Sequence, residues 1–105
     1  MAALLVLSNF PDRESAERVA VLLVEQRLAA CVNVLAPCRS VYRWKDAVQR
    51  EDEHPVLIKT TAERYPALEK ALQAAHPYDL PEIVALPMER GLPEYLSWVA
   101  TQTAA

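Results

Sequence analysis

Two neighbouring segments, Cys31-Val-Asn-Val-Leu-Ala-Pro-Cys-Arg-Ser-Val-Tyr-Arg-Trp44 and Pro55-Val-Leu-Ile-Lys-Thr-Thr61, decide how the rest of the chain is arranged. Both are rich in β-branched and aromatic residues, which suit a pleated surface. Pro37 interrupts the first and predicts a bulge or bend within one long second strand. The charged residues between the segments, Lys45-Asp-Ala-Val-Gln-Arg-Glu-Asp-Glu-His54, carry no apolar stripe of helical period. They fit a hairpin connection or an exposed extension of the strands, with the third strand following over 55–61.

Working outward, Ala3 to Ser8 is a continuous apolar run closed by polar residues and a proline, as for a strand buried on both faces. Asp12 then caps a helix expected over 13–28, in which Ala16, Val19, Ala20, Leu23, Val24 and Leu28 oppose Glu17, Arg18, Glu25 and Arg27. On the other side, residues 62–75 place Tyr65, Leu68, Leu72 and Ala75 on one helical face, and Pro66 is tolerated because it falls in the first turn. His76-Pro-Tyr-Asp-Leu-Pro81 stops this helix, Ile83 to Leu86 forms a short fourth strand, and a last helix is expected over 92–102. The order β-α-β-β-α-β plus a C-terminal helix is that of an α+β, ferredoxin-like fold, with two helices covering one face of an antiparallel sheet. No linker or repeat divides residues 1–105, so a single domain is expected.

Composition narrows the function. An apolar share of 52% in 105 residues supports a core, but a chain this short buries only about two-thirds of its surface, which favours partner subunits. The net charge of −3, with acids and bases intermixed, leaves no basic stripe for nucleic acid. Segment 3–7 is too short to span a bilayer and lacks a basic export region, so no membrane association and a cytoplasmic location are expected. The one glycine, Gly91, excludes glycine-rich phosphate loops. Cys31 and Cys38 match neither a redox pair nor a zinc ribbon and read as reduced thiols.

Four stretches then carry a resemblance: Leu28-Ala-Ala-Cys-Val-Asn33, Tyr42-Arg-Trp44, Ile58-Lys-Thr-Thr61 and His76-Pro-Tyr-Asp-Leu-Pro-Glu-Ile83, with Gly91, Tyr95, Leu96 and Trp98 closing the chain. In order and spacing they resemble the CutA divalent-cation tolerance family. The resemblance implies a homotrimer whose long hairpins extend the sheets of neighbouring subunits, an architecture like that of the PII signalling proteins. It also implies copper binding, a response to metal ions, and no enzymatic activity. Two departures stand out. Many members carry Trp-x-Gly-Lys after the second strand, whereas Trp44 here precedes Lys45-Asp-Ala47, and some copper-linked members have a cysteine where this chain has Ser8.

Among individual residues, His76 is the leading metal-ligand candidate, because neutral imidazole binds copper, zinc or nickel and prolines 77 and 81 stiffen its loop. Glu82 would add a carboxylate, with Asp79 as a weaker third. One subunit offers few ligands, so such a site would be shared between subunits or completed by water, and copper or another divalent ion would be bound without being an obligatory cofactor. The competing readings are that His76 satisfies the end of its helix and that Glu82 forms a structural bond. Cys31 reads as core and Cys38 as exposed. Tyr42 and Trp44 read as trimer or hairpin core, His54 as solvated, and Thr61 as a helix cap. A second function class is a PII-like module taking a small anion in subunit clefts, with Lys59 as donor. No catalytic residue is identified, since no nucleophile adjoins a base.

Overall fold

Residue alternation along the first strand sets the layers. In this computed structural model, which describes residues 2–105, β1 (Ala3–Phe10) lies in the interior of the sheet, paired antiparallel with β4 (Ala47–Thr61) and β5 (Val84–Pro87). Val6, Ser8 and Phe10 are buried on the helix-covered face, where Val6 meets Ile58 and Ser8 meets Val56. Leu5, Leu7 and Leu57 therefore point to the opposite face, together with Val84 and Leu86 of β5. The strand order is β2-β4-β1-β5, with β2 (Cys31–Val34) on the far edge, which is the ferredoxin-like arrangement expected.

Helix α1 (Arg13–Glu25) starts as the sequence indicates: the Asp12 carboxylate accepts from the Ser15 N–H at 2.7 Å. It ends three residues earlier than expected. Arg27 adopts φ 58°, its N–H reaches the Val24 carbonyl at 3.1 Å, and the Leu28 N–H reaches Leu23 at 2.9 Å. That pair of bonds is a Schellman stop, which lets Leu28 remain in the core without being helical. α2 (Tyr65–Ala75) has Pro66 in its first turn and buries Leu68 and Leu72. Both helices pack on the Val6, Phe10 and Ile58 face around one core.

The second strand is split. β2 stops at Val34, and β3 (Cys38–Trp44) restarts after Pro37 to pair only with the first half of β4. The charged stretch is strand, not loop: Trp44 pairs Ala47 across a two-residue turn in which Lys45 and Asp46 take φ 50° and 64°. Both central residues left-handed is the signature of a type I′ turn, whose twist matches the strands it joins. The hairpin stretches the chain to 44 × 25 × 23 Å, and the radius of gyration of 14.2 Å exceeds the roughly 13 Å of a compact chain of this length. α3 (Pro93–Gln102) opens on a proline and lies on the other side of the sheet from α1 and α2, with the Tyr95 ring 6.0 Å from the Lys59 ammonium.

Candidate functional site

The chemistry gathers where the hairpin leaves the sheet. There the loop after α2 folds back over the end of β1 and leaves a cavity of about 530 Å3, walled by Tyr42 and Trp44, by Asn9 and Glu53, and by residues 78–82. Among the described residues the lining includes the carboxylates Glu53, Asp79 and Glu82 and no lysine, arginine or histidine.

His76 anchors this loop. Its ring stacks on Phe10 with centroids 4.2 Å apart and planes at 20°. Nε2 lies 2.8 Å from the Asn9 carbonyl oxygen, and Nδ1 accepts from the Tyr78 N–H at 3.1 Å. A carbonyl can only accept, so Nε2 carries the proton and the ring is the neutral tautomer. Burial pushes its pKa below the usual 6.5, against the raising influence of the Asn9 bond and the Glu53 charge. The Nδ1 lone pair, the one a metal needs, is already committed to Tyr78. The helix-ending alternative is met by the backbone, since the His76 N–H donates to the Leu72 carbonyl at 2.9 Å, while the ring bonds a strand carbonyl and its own loop.

Glu82 Oε1 accepts from the Asn9 amide at 3.0 Å, so Asn9 joins the two sequence candidates: its carbonyl bonds His76 and its side chain bonds Glu82. Asp79 is exposed on the cavity rim. Among the described residues no three histidine, cysteine, aspartate or glutamate side chains come together in a metal-ligating group. Sequence reasoning missed Glu53 and Tyr78. Tyr78 Oη donates to Glu53 Oε2 at 2.8 Å, and burial, followed by that bond and the Glu53 charge, holds the Tyr78 phenol far above its usual pKa. Glu53 sits in a charged run where nothing local separates it from Glu51. It is buried, and its carboxylate is bonded by a loop residue 25 positions away.

Several other expectations need correction. Cys31 is half-exposed on the open face, where it pairs Lys59, while its neighbour Val32 turns to the core. The apolar context misled because a strand alternates whatever its neighbours are. His54 is a strand residue paired with Phe10, with Nδ1 buried and unbonded. Thr61 Oγ1 accepts from the Arg64 N–H at 3.4 Å and so closes the turn before α2, not the helix itself. The Lys59 ammonium donates to Asn33 at 2.7 Å. Cys38 is exposed, as expected.

A ferredoxin-like fold with a projecting hairpin, an added C-terminal helix and a loop-built acidic and aromatic cavity defines a small α+β protein with an antiparallel sheet. The chain belongs to the CutA1 divalent ion tolerance protein family, whose model matches residues 4–102. It is 46% identical over 98 residues to the divalent-cation tolerance protein CutA of Thermus thermophilus, covering 93% of this chain and 95% of that protein. The solved structure of CutA from Xylella fastidiosa superposes with a TM-score of 0.95 at 43% identity, covering 97% of this chain and 98% of that one. The Mus musculus protein CutA is 42% identical over 89 residues, and there the chain spans only 50% of the relative's length.

Proposed function

We propose that this chain is a noncatalytic homotrimeric protein that takes up copper or another divalent ion and serves the cell's response to metal. The observation that carries the metal reading is the cavity lining: Glu82 and Asp79 bring carboxylate oxygens to it and no cationic side chain opposes them. His76 supports that site by holding its loop and joins the coordination only by giving up Tyr78. Carboxylate, water and groups of a second subunit then make an oxygen-rich set, which suits Cu(II) or Zn(II) better than Cu(I), and Ser8 supplies no thiolate. Relatives named for divalent-cation tolerance are in keeping with this role. We also propose a cytoplasmic location. Among the described residues no helix is long and apolar enough to cross a membrane.

The alternative, an anion site built on Lys59, finds less support, because that ammonium is spent on Asn33. Isothermal titration of the wild type, Glu82→Gln and His76→Asn with Cu(II) and Zn(II) tests the proposal. Glu82→Gln is expected to weaken binding about tenfold, the loss of one carboxylate ligand. A Glu82→Gln isotherm superimposable on wild type would remove the cavity from the metal site.

A further inference from the structure

We infer that the cavity between the hairpin and the 78–82 loop is a binding site for a small organic cation, an alkylammonium or alkylguanidinium, with Glu53 as counter-charge and Tyr42 and Trp44 as aromatic walls. The strand register carries the first part of the argument. Tyr42 pairs Gln49, Trp44 pairs Ala47 and Cys38 pairs Glu53, so Tyr42, Trp44 and Glu53 lie on one face of the hairpin. Both aromatic residues line the cavity and are partly exposed in the single chain, at 39% for Tyr42 and 44% for Trp44, whereas Glu53, which lines the same cavity, is only 8% exposed.

Glu53 supplies the second, independent observation. Among the described residues its carboxylate accepts one hydrogen bond, from the Tyr78 hydroxyl, and no lysine, arginine or histidine forms an ion pair with it. A carboxylate withdrawn from water is costly without a positive partner, and here it borders an open cavity instead of a side chain that neutralises it. A ligand that brings the missing charge gains most. The aromatic walls favour an organic cation at Glu53, because a ring face attracts a weakly hydrated alkylammonium or guanidinium directly. Leu80 and Pro81 complete an apolar side for an aliphatic chain. The volume of about 530 Å3 lies within the roughly 300–1,000 Å3 of small-molecule sites. This reading does not depend on metal uptake.

The test uses the full chain with Trp98→Phe as background, so that Trp44 is the one remaining tryptophan, titrated with butylguanidinium and butylammonium. Neutral butylurea and anionic pentanoate are the controls. Saturable change of Trp44 fluorescence with both cations and neither control is expected. Glu53→Gln should weaken cation binding about tenfold, and Tyr78→Phe, which removes the loop bond but keeps the carboxylate, should retain it. Equal binding of butylurea, an unchanged affinity in Glu53→Gln, equal loss in Tyr78→Phe, or no saturation would each overturn the inference. Binding that emerges only when Arg39, Arg43 and Arg50 are replaced by serine would make a neighbouring copy's guanidinium the occupant and equally overturn a free ligand. Zn(II) binding without butylguanidinium binding sinks this inference alone, and the reverse sinks only the metal proposal.

Discussion

A single imidazole joins strand, helix and loop here, and its loss has consequences at two levels. His76 is 8% exposed, stacks on Phe10 and occupies both ring nitrogens. His76→Ala removes that packing and leaves the Asn9 carbonyl and the Tyr78 N–H without partners, so urea denaturation should show a loss of about 2–4 kcal/mol. The pH dependence has a definite sign. Burial lowers the folded-state pKa below 6.5, so the unfolded chain binds the proton more readily. The stability tied to the neutral ring is fully present above the unfolded value and is lost as pH falls through the folded one. Between about pH 7.5 and about pH 5 the wild type should therefore lose more stability than His76→Gln at equal protein concentration, and parallel curves would show that His76 titrates alike in the folded and unfolded chain. The sequence singled out His76 from its prolines and its chemistry. What it could not reveal was the acceptor, because the Asn9 carbonyl lies 67 positions away and any residue type would present one. Metal ligation and structural bonding ask for the same imidazole, and only the geometry separates them.

Elements were legible where a local pattern repeats and illegible where one backbone dihedral decides. The 3.6-residue stripes of α1 and α2 and the apolar run of β1 are local patterns, and all three elements form, with α2 beginning at Tyr65, three residues later than expected. The end of α1 is not periodic: Leu28 continues the stripe in sequence, yet the left-handed Arg27 has already turned the chain. An arginine holds a position that favours glycine, and its guanidinium reaches the Gln102 carbonyl at 3.2 Å, tying α1 to the end of α3. The hairpin tip presents the same problem without that compensation. Lys45 and Asp46 both take positive φ, a conformation that costs side-chain-bearing residues about 1–2 kcal/mol each, less for aspartate. Family relatives with glycine near this turn suggested a different tip. The structure keeps a two-residue turn and bears the strain. Replacing both residues, Lys45→Asn with Asp46→Gly, should therefore stabilise the protein by about 1 kcal/mol, read as a higher denaturation midpoint with unchanged slope. A drop in midpoint would mean that the Lys45 or Asp46 side chain makes a contact worth more than the backbone strain.

As a whole, the subunit is poorly closed for its size. The face opposite α1 and α2 carries Leu5, Leu7 and Leu57 beside the half-exposed Val84 and Leu86, and α3 covers it only in part, around Lys59. Both edge strands, β2 and β5, have one side without a partner among the described residues, and a long hairpin projects past the core. Exposed edges and an apolar sheet face together favour aggregation unless other copies occupy them in a closed arrangement. A homotrimer that buries the leucine face and pairs the edges answers both exposures, and it is the assembly proposed here. Leu86→Asp tests it without disturbing the monomer, because Leu86 is 50% exposed and its replacement removes nothing from the core around Ile58. In a trimer the same change costs about 2 kcal/mol of apolar burial at each of the equivalent sites and adds the larger penalty of a charge held away from water. Native mass spectrometry should report three copies for the wild type and dissociation for Leu86→Asp. The wild-type melting temperature should rise with protein concentration, since unfolding is coupled to dissociation, and that dependence should vanish in the variant. A wild type that stays monomeric at micromolar concentration, or a Leu86→Asp protein that remains trimeric, would leave the open leucine face without the partner its exposure demands.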